Sequence, residues 1–237
     1  MKRHCAEIVL GVIFLGVFLA FWFWQSPSWI SGKLTEAEID RYFTAIDKLP
    51  FPPADKRKAV DSLRAWARAD DGKPVYMLNL MRFYPQIRSY PGAPSITGTP
   101  EESNRFYEDK VMPLLFKIGG YPLAGGSAQS RNLVGHEPAE DEWNRVLMVR
   151  YPSRRAFLSL MADPAYAPNL PYKIMALHLA LVPVNGDVVI PDLRWVVGAT
   201  LLILFLAIGW FRSSRRRSPS PDTTRLAAAI EPPIGRA

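Results

Sequence analysis

The sequence predicts an α+β domain carried between two membrane-spanning helices. Two uncharged apolar runs, residues 8–24 and 195–211, stand near the two ends of the 237 residues. Between them, residues 75–83, 121–134, 144–150 and 176–184 read as strands, and the stretches after the first and third place apolar residues at helical spacing. The third observation is the segment WNRVLMVRYPSRRAFLSLMADPAY, residues 143–166. Its strand stops at Pro152, and Ser153 is placed to cap a helix of about ten residues whose Phe157, Leu160 and Met161 share one face. Such a strand-turn-helix unit cannot bury its apolar faces alone, so the neighbouring segments must complete a sheet.

In chain order, residues 1–7 form a short basic N-terminus, followed by the first run. Seventeen residues at ~1.5 Å rise come close to a hydrocarbon core of ~30 Å, and Trp22, Trp24 and Trp29 would sit in the interfacial belt. The rival reading is a cleaved signal peptide, because Ser26-Pro27-Ser28 loosely fits a small-x-small cleavage site. Residues 33–70 read as a helical hairpin. Thr35 and Glu38 make a capping box before Ile39, Tyr42, Phe43, Ile46 and Leu49, prolines at 50, 52 and 53 break that helix, and residues 54–69 form a second.

Residues 73–190 form the sheet domain. The first strand, VYMLNLMRF, leads into a loop rich in proline and glycine at 85–98. Thr99 and Glu102 cap the next helix, which carries Tyr107, Val111, Leu114 and Ile118 on one face, ends at Gly119-Gly120, and should kink or restart at Pro113. After the third strand and its helix, a short piece leads to the fourth strand, which ends at Asn185-Gly186. The element order is βαββαβ, the split βαβ or ferredoxin-like arrangement. The second apolar run, 195–211, is followed by Arg212 and Arg215 to Arg217, and residues 212–237 have the composition of a disordered basic tail.

The net charge of +7 is confined to the ends: residues 1–30 and 193–237 hold 9 basic against 3 acidic residues, leaving 20 against 19 between them. A neutral middle with basic ends beside apolar runs argues for membrane topology and against a nucleic-acid groove. By the positive-inside rule both termini face the cytoplasm and residues 25–193 the far side, which in a bacterium is the periplasm or the cell exterior. The expected location is therefore the inner membrane, with the lipid bilayer as a partner. The lone Cys5 precludes an intrachain disulfide and any multi-cysteine metal site; beside the first run it reads as an unmodified thiol or, alternatively, as an acylation site.

Three stretches, residues 75–81 (VYMLNLM), VMPLL at 111–115 before Gly119-Gly120, and VRYPSR at 149–154 before DPAY at 163–166, resemble one group of proteins. It is a largely uncharacterised bacterial group within the dimeric α/β-barrel superfamily, which also holds antibiotic-biosynthesis monooxygenase-like and muconolactone-isomerase-like proteins. The resemblance covers about residues 73–185. It implies a barrel made by pairing two sheets and a ligand site inside it, but no particular reaction, since members share the scaffold and not one site.

The candidate ligand-binding residues are Asn79, Arg82, Arg150, Tyr151 and His178. Asn79 lies among Met77, Met81 and Phe83 on one strand face, where a buried amide would orient a ligand in an apolar cavity; the plain alternative is a hydrogen bond to a nearby loop. Arg82 and Arg150 close the first and third strands. In the split βαβ sheet those strands are expected to be parallel neighbours, so both guanidiniums reach one end of the sheet and, with Tyr84 and Tyr151, could hold a carboxylate bidentately. His136 and His178 are general bases by type, yet no His/carboxylate set, nucleophile motif or dinucleotide fingerprint accompanies them. No metal and no cofactor is expected. Haem chemistry of the kind some superfamily members perform would need a histidine on the second main helix, and residues 153–176 contain none.

Two functions remain. One is a membrane-anchored extracytoplasmic module that binds a small apolar or acidic compound or a partner. The other is a cofactor-independent isomerase or monooxygenase acting on a small aromatic or lactone-like compound. A base and a donor gathered in one cavity would separate them. The strands are apolar on both alternating sets, so the face away from the helices must be covered. A two-fold homodimer is the first expectation, and the hairpin folded under the sheet is the competing one.

Overall fold

The computed structural model describes residues 5–135, 137, 141–187 and 192–216. In chain order the elements are α1 (Cys5–Gln25), α2 (Ser28–Ser31), α3 (Glu36–Ile46), α4 (Pro53–Arg68), β1 (Val75–Phe83), α5 (Pro100–Lys117), β2 (Tyr121–Ser127), β3 (Arg145–Tyr151), α6 (Arg154–Met161), α7 (Leu170–Ile174), β4 (Leu177–Val184) and α8 (Leu193–Arg216). The protein is α+β, and it divides into two compact units.

The first unit joins α1 as far as Phe21 to α8. Both helices carry windows long and apolar enough to cross a membrane, Ile8–Gln25 and Leu193–Ser213. The two run antiparallel, since Gly11 meets Phe205 and Gly198 meets Phe18. A β-carbon on Gly198 would come within 2.9 Å of the Phe18 ring, so glycine permits this approach. Residues 212–216 continue α8; the rest of the expected tail and His136 lie outside the described residues.

The second unit runs from Trp22. Its four strands form one sheet in the order β2-β3-β1-β4, with every neighbouring pair antiparallel. β2 is shorter than the sequence suggests. Ala128 donates its N–H to the Asn144 carbonyl and ends the ladder; beyond it Asn132 accepts from the Val134 N–H in a local turn, with Leu133 and Val134 exposed. Both capping boxes form, at Thr35 with Glu38 and at Thr99 with Glu102, and the Ser153 hydroxyl accepts from the Ala156 N–H. α5 runs through Pro113 without restarting. A proline costs one intrahelical hydrogen bond, and Val111 and Leu115 on either side stay anchored in the core. Gly119, at φ +77°, reverses the chain into β2.

Strand register sorts the sheet into two faces. Val75, Met77, Asn79 and Met81 of β1 share a face with Leu147, Val149 and Tyr151 of β3 and with Leu177, Leu179 and Leu181 of β4. On this face Val75, Met77, Val149 and Tyr151 join one core with Tyr107, Val111 and Leu115 of α5, Phe157, Leu158, Leu160 and Met161 of α6, and Ile39, Phe43 and Ile46 of α3. The hairpin therefore packs on the helical side: Trp66 meets Phe157 edge-on at 5.5 Å, Arg155 holds Glu38, and Arg154 donates to the Trp66 carbonyl. It does not fold under the sheet. The far face keeps Leu78, Leu80, Val146, Met148, Ala180 and Val182 half-buried or exposed.

Candidate functional site

A cavity of about 610 Å3 opens between the helical face of the sheet, α6, α7 and the start of the hairpin's second helix. Its wall is mainly aromatic and aliphatic: Phe51, Leu63, Phe157, Leu160, Met161, Leu170 and Leu179 among others. At the mouth, the Tyr84 and Arg88 N–H groups donate to the Ala176 and Met175 carbonyls, and the Tyr90 hydroxyl donates to the Pro50 carbonyl. These bonds pin the loop after β1 both to the α7–β4 junction and to the hairpin.

Five of the polar side chains that line it are buried: Asn79, Tyr107, Tyr151, Tyr166 and Lys173. Each is placed by a separate element. Asn79 is buried in the middle of β1; its amide NH2 donates to the Met77 and Leu147 carbonyls, so its oxygen turns the other way and accepts from Lys173 Nζ at 3.0 Å. Lys173 arrives on α7, which α5 clamps from outside: the Ser103 hydroxyl donates to the Tyr172 carbonyl, and the Phe106 and Tyr172 rings lie 4.4 Å apart. Tyr166 follows a turn in which Asp163 accepts from the Ala165 N–H, and its hydroxyl meets that of Tyr107 at 3.2 Å. Tyr151 ends β3 with its ring edge-on to Phe157.

Burial governs the protonation of this group. It draws the Lys173 ammonium down to about 8 from the ordinary 10.5, with Glu108 opposing the shift and Arg145 adding to it. The same burial raises all three tyrosines, helped at Tyr107 and Tyr151 by the neighbouring Tyr166, so they remain neutral donors. Glu108 is already engaged: both its carboxylate oxygens accept from Arg145 Nη1, at 2.7 and 2.8 Å, and one accepts from the Asn104 amide as well. No carboxylate among the described residues lies within ion-pair distance of Lys173.

The structure divides the sequence candidates. Asn79 and Tyr151 enter the cavity. His178 touches it from β4, but its ring stacks on Trp143 at 5.9 Å, and its strand partner is Arg82 on the other face. Arg82 and Arg150 do not converge, which corrects the expectation of parallel strands. β1 and β3 are antiparallel, Arg150 pairs with Tyr76, and Arg82 lies six residues further along, or ~20 Å. Both project on the face opposite the cavity. Arg150 is fully buried there, its guanidinium donating to the Gln25 side chain at 2.6 Å and lying over the Tyr121 ring.

No family model and no curated protein matches the chain. Solved structures do. A protein of unknown function from Rhodopseudomonas palustris is similar at 26% identity and a TM-score of 0.44, over 54% of this chain and 90% of that one. A methylated form of that protein gives 24%, 0.45, 57% and 93%. SnoaB, a cofactor-independent oxygenase from Streptomyces nogalater, is similar at 12% identity and a TM-score of 0.32, over 51% of this chain and 99% of that one.

Sequence reasoning missed Lys173, Tyr107 as a polar group, and Tyr166. A lysine between proline-flanked turns reads as solvated. Its signal was the spacing Leu170, Lys173, Ile174, which sets the lysine on the apolar side of its turn.

Proposed function

We propose that the chain is a membrane-anchored domain of the ferredoxin-like, dimeric α/β-barrel type that binds a small, mainly apolar compound on the extracytoplasmic side. The observation that carries this reading is the cavity. Its volume suits a compound of one or two rings, and its apolar wall carries a few converging polar groups. The βαββαβ connection with strand order β2-β3-β1-β4 supports the fold type. The two apolar helices support the anchor, and the basic residues beside them, Lys2 and Arg3 at one end and Arg212 and Arg215 to Arg217 at the other, support cytoplasmic termini.

The test uses the full chain in lipid nanodiscs with 1-naphthamide, a neutral aromatic probe, followed by calorimetry against empty discs. Ala59 lines the cavity from α4 and is half-buried, so Ala59→Trp should fill the space without disturbing the fold. Saturable binding that Ala59→Trp abolishes supports the reading; binding that Ala59→Trp leaves intact sinks it. A periplasmic reporter inserted in the loop at 85–98 should be active, and an active cytoplasmic reporter there would refute the orientation.

A second reading, a cofactor-independent isomerase or monooxygenase, is favoured by Lys173 and Tyr151 in one cavity: an amine and a donor, the combination that would separate the two functions. With the ammonium titrating near 8, the charged form prevails at neutral pH, which keeps binding ahead of proton abstraction. Deuterium uptake by an enolisable lactone in D2O, lost in Lys173→Met, would reverse that order.

A further inference from the structure

We infer that the cavity selects a small organic anion, an apolar body bearing one carboxylate or ionised enol oxygen, for which Lys173 is the counter-ion. The inference rests on the cavity's being a ligand site and names the class of ligand. Lys173 is nine-tenths buried, and its hydrogen-bond partner among the described residues is the neutral oxygen of Asn79. Its ammonium also lies 5.1 Å from the centre of the Tyr107 ring. An ammonium has three protons to donate, and one amide oxygen satisfies one of them.

A buried cation without an opposite charge is costly, and proteins otherwise pair or neutralise it. Glu108, the acid whose charge reaches Lys173, is committed to Arg145, so the missing negative charge is left to an occupant of the cavity. Tyr151 points to the same conclusion independently. It is buried and lines the cavity, and its hydroxyl makes no hydrogen bond among the described residues. In the Tyr107–Tyr166 pair one hydroxyl donates to the other, which leaves the second proton free for a ligand.

The site therefore offers hydroxyl donors and one positive charge, and its amide oxygen, that of Asn79, is taken by Lys173. One charge matches a monoanion; a phosphate dianion would bring a second negative charge into an apolar wall. The apolar remainder of the ligand would lie against Phe51, Phe157, Leu160 and Met161. At the mouth, Arg88 stacks on Tyr84 at 3.8 Å, while the acidic Asp55 on α4 is exposed to solvent.

The probes are 1-naphthoate and 1-naphthamide, alike in shape and differing in charge, titrated into the full chain in neutral-lipid nanodiscs. The wild type should bind naphthoate at least tenfold more tightly than naphthamide. Lys173→Met should lose that preference, and Lys173→Gln, which keeps a donor for Asn79, serves if the methionine variant does not fold. The naphthoate affinity should also fall as pH rises from 7 to 9.5, with the naphthamide affinity level. The groups facing Lys173 across this range are Asn79 on β1, Tyr107 and Glu108 on α5, Arg145 and Tyr151 on β3, and Tyr166. Equal affinity for the two probes in the wild type, or naphthoate binding unchanged in both variants, overturns the anion while leaving the cavity as a ligand site. Binding of neither probe overturns both.

Discussion

Lys173 shows how a single residue can work against the stability of the fold that holds it. Its proton affinity is lowered on folding, to about 8 from 10.5, mainly by burial. Between those values the unfolded chain binds more protons than the folded one, so stability rises with pH through that window. Below pH 8 the full cost is present. A shift of that size corresponds to about 3 kcal/mol, and removing the donor to Asn79 returns about 1 kcal/mol of it. Lys173→Met is therefore expected to stabilise the empty protein by roughly 2 kcal/mol at pH 7, with the gain fading toward pH 10.5. Thermal unfolding at pH 7 and pH 10 checks this, and a methionine variant less stable than wild type at pH 7 would contradict it. A lysine kept at such a cost fits a residue retained for what it binds. Residue type says that a lysine is charged, while only the packing of α5 on α7 says that this one is buried.

The elements were easier to read, because their signals are local. The apolar run VYMLNLMRF set β1, and the capping boxes at Thr35 and Thr99 set the starts of α3 and α5. What alternation does not encode is direction: a strand reads the same way whichever way its neighbour runs, and the Arg82–Arg150 pairing failed on that point. Nor does an amphipathic stripe name its partner. The stripe on α3 was equally suited to either face of the sheet, and the choice is made by Arg155, which donates to Glu38 at 3.1 Å and to the carbonyls of Gly32 and Lys33. Arg155 holds the Glu38 carboxyl down at about 2, against an ordinary 4.5, with burial opposing and Thr35 assisting. Since the folded value is the lower one, this contribution is whole above pH 4.5 and lost as pH falls through 2. Glu38→Ala, which removes both the cap and the ion pair, should cost about 1–2 kcal/mol. Glu38→Gln can keep the cap and should cost less while flattening the loss of stability between pH 4.5 and 2. Denaturation midpoints at pH 7 and pH 3 decide it: equal losses for the two variants at both values would place the effect elsewhere.

On the whole molecule, the far face of the sheet stays half-buried or exposed. The hairpin joins the helical side, so the competing cover for that face is gone. Leu78, Leu80, Val146, Met148, Ala180 and Val182 form a continuous apolar strip without a charged side chain, and Val182 is 42% exposed. An uncovered strip of this kind, on the order of several hundred Å2, is unusual on a soluble surface. A second copy presents the same uncharged strip, so two strips meeting across a two-fold axis leave no ionised group buried between them. Arg150 at one end is already satisfied by Gln25, and Arg82 at the other lies over Trp143, so neither charge stands in the way. The full chain in detergent is therefore expected to sediment as a dimer. Leu80→Glu would place two carboxylates in the apolar strip and weaken association by roughly 100-fold or more. The cavity lies on the opposite side of the sheet, so this variant should still bind the naphthalene probes. A wild-type chain that stays monomeric at tens of micromolar, or a Leu80→Glu chain that remains dimeric, would show that the strip is not the contact between copies.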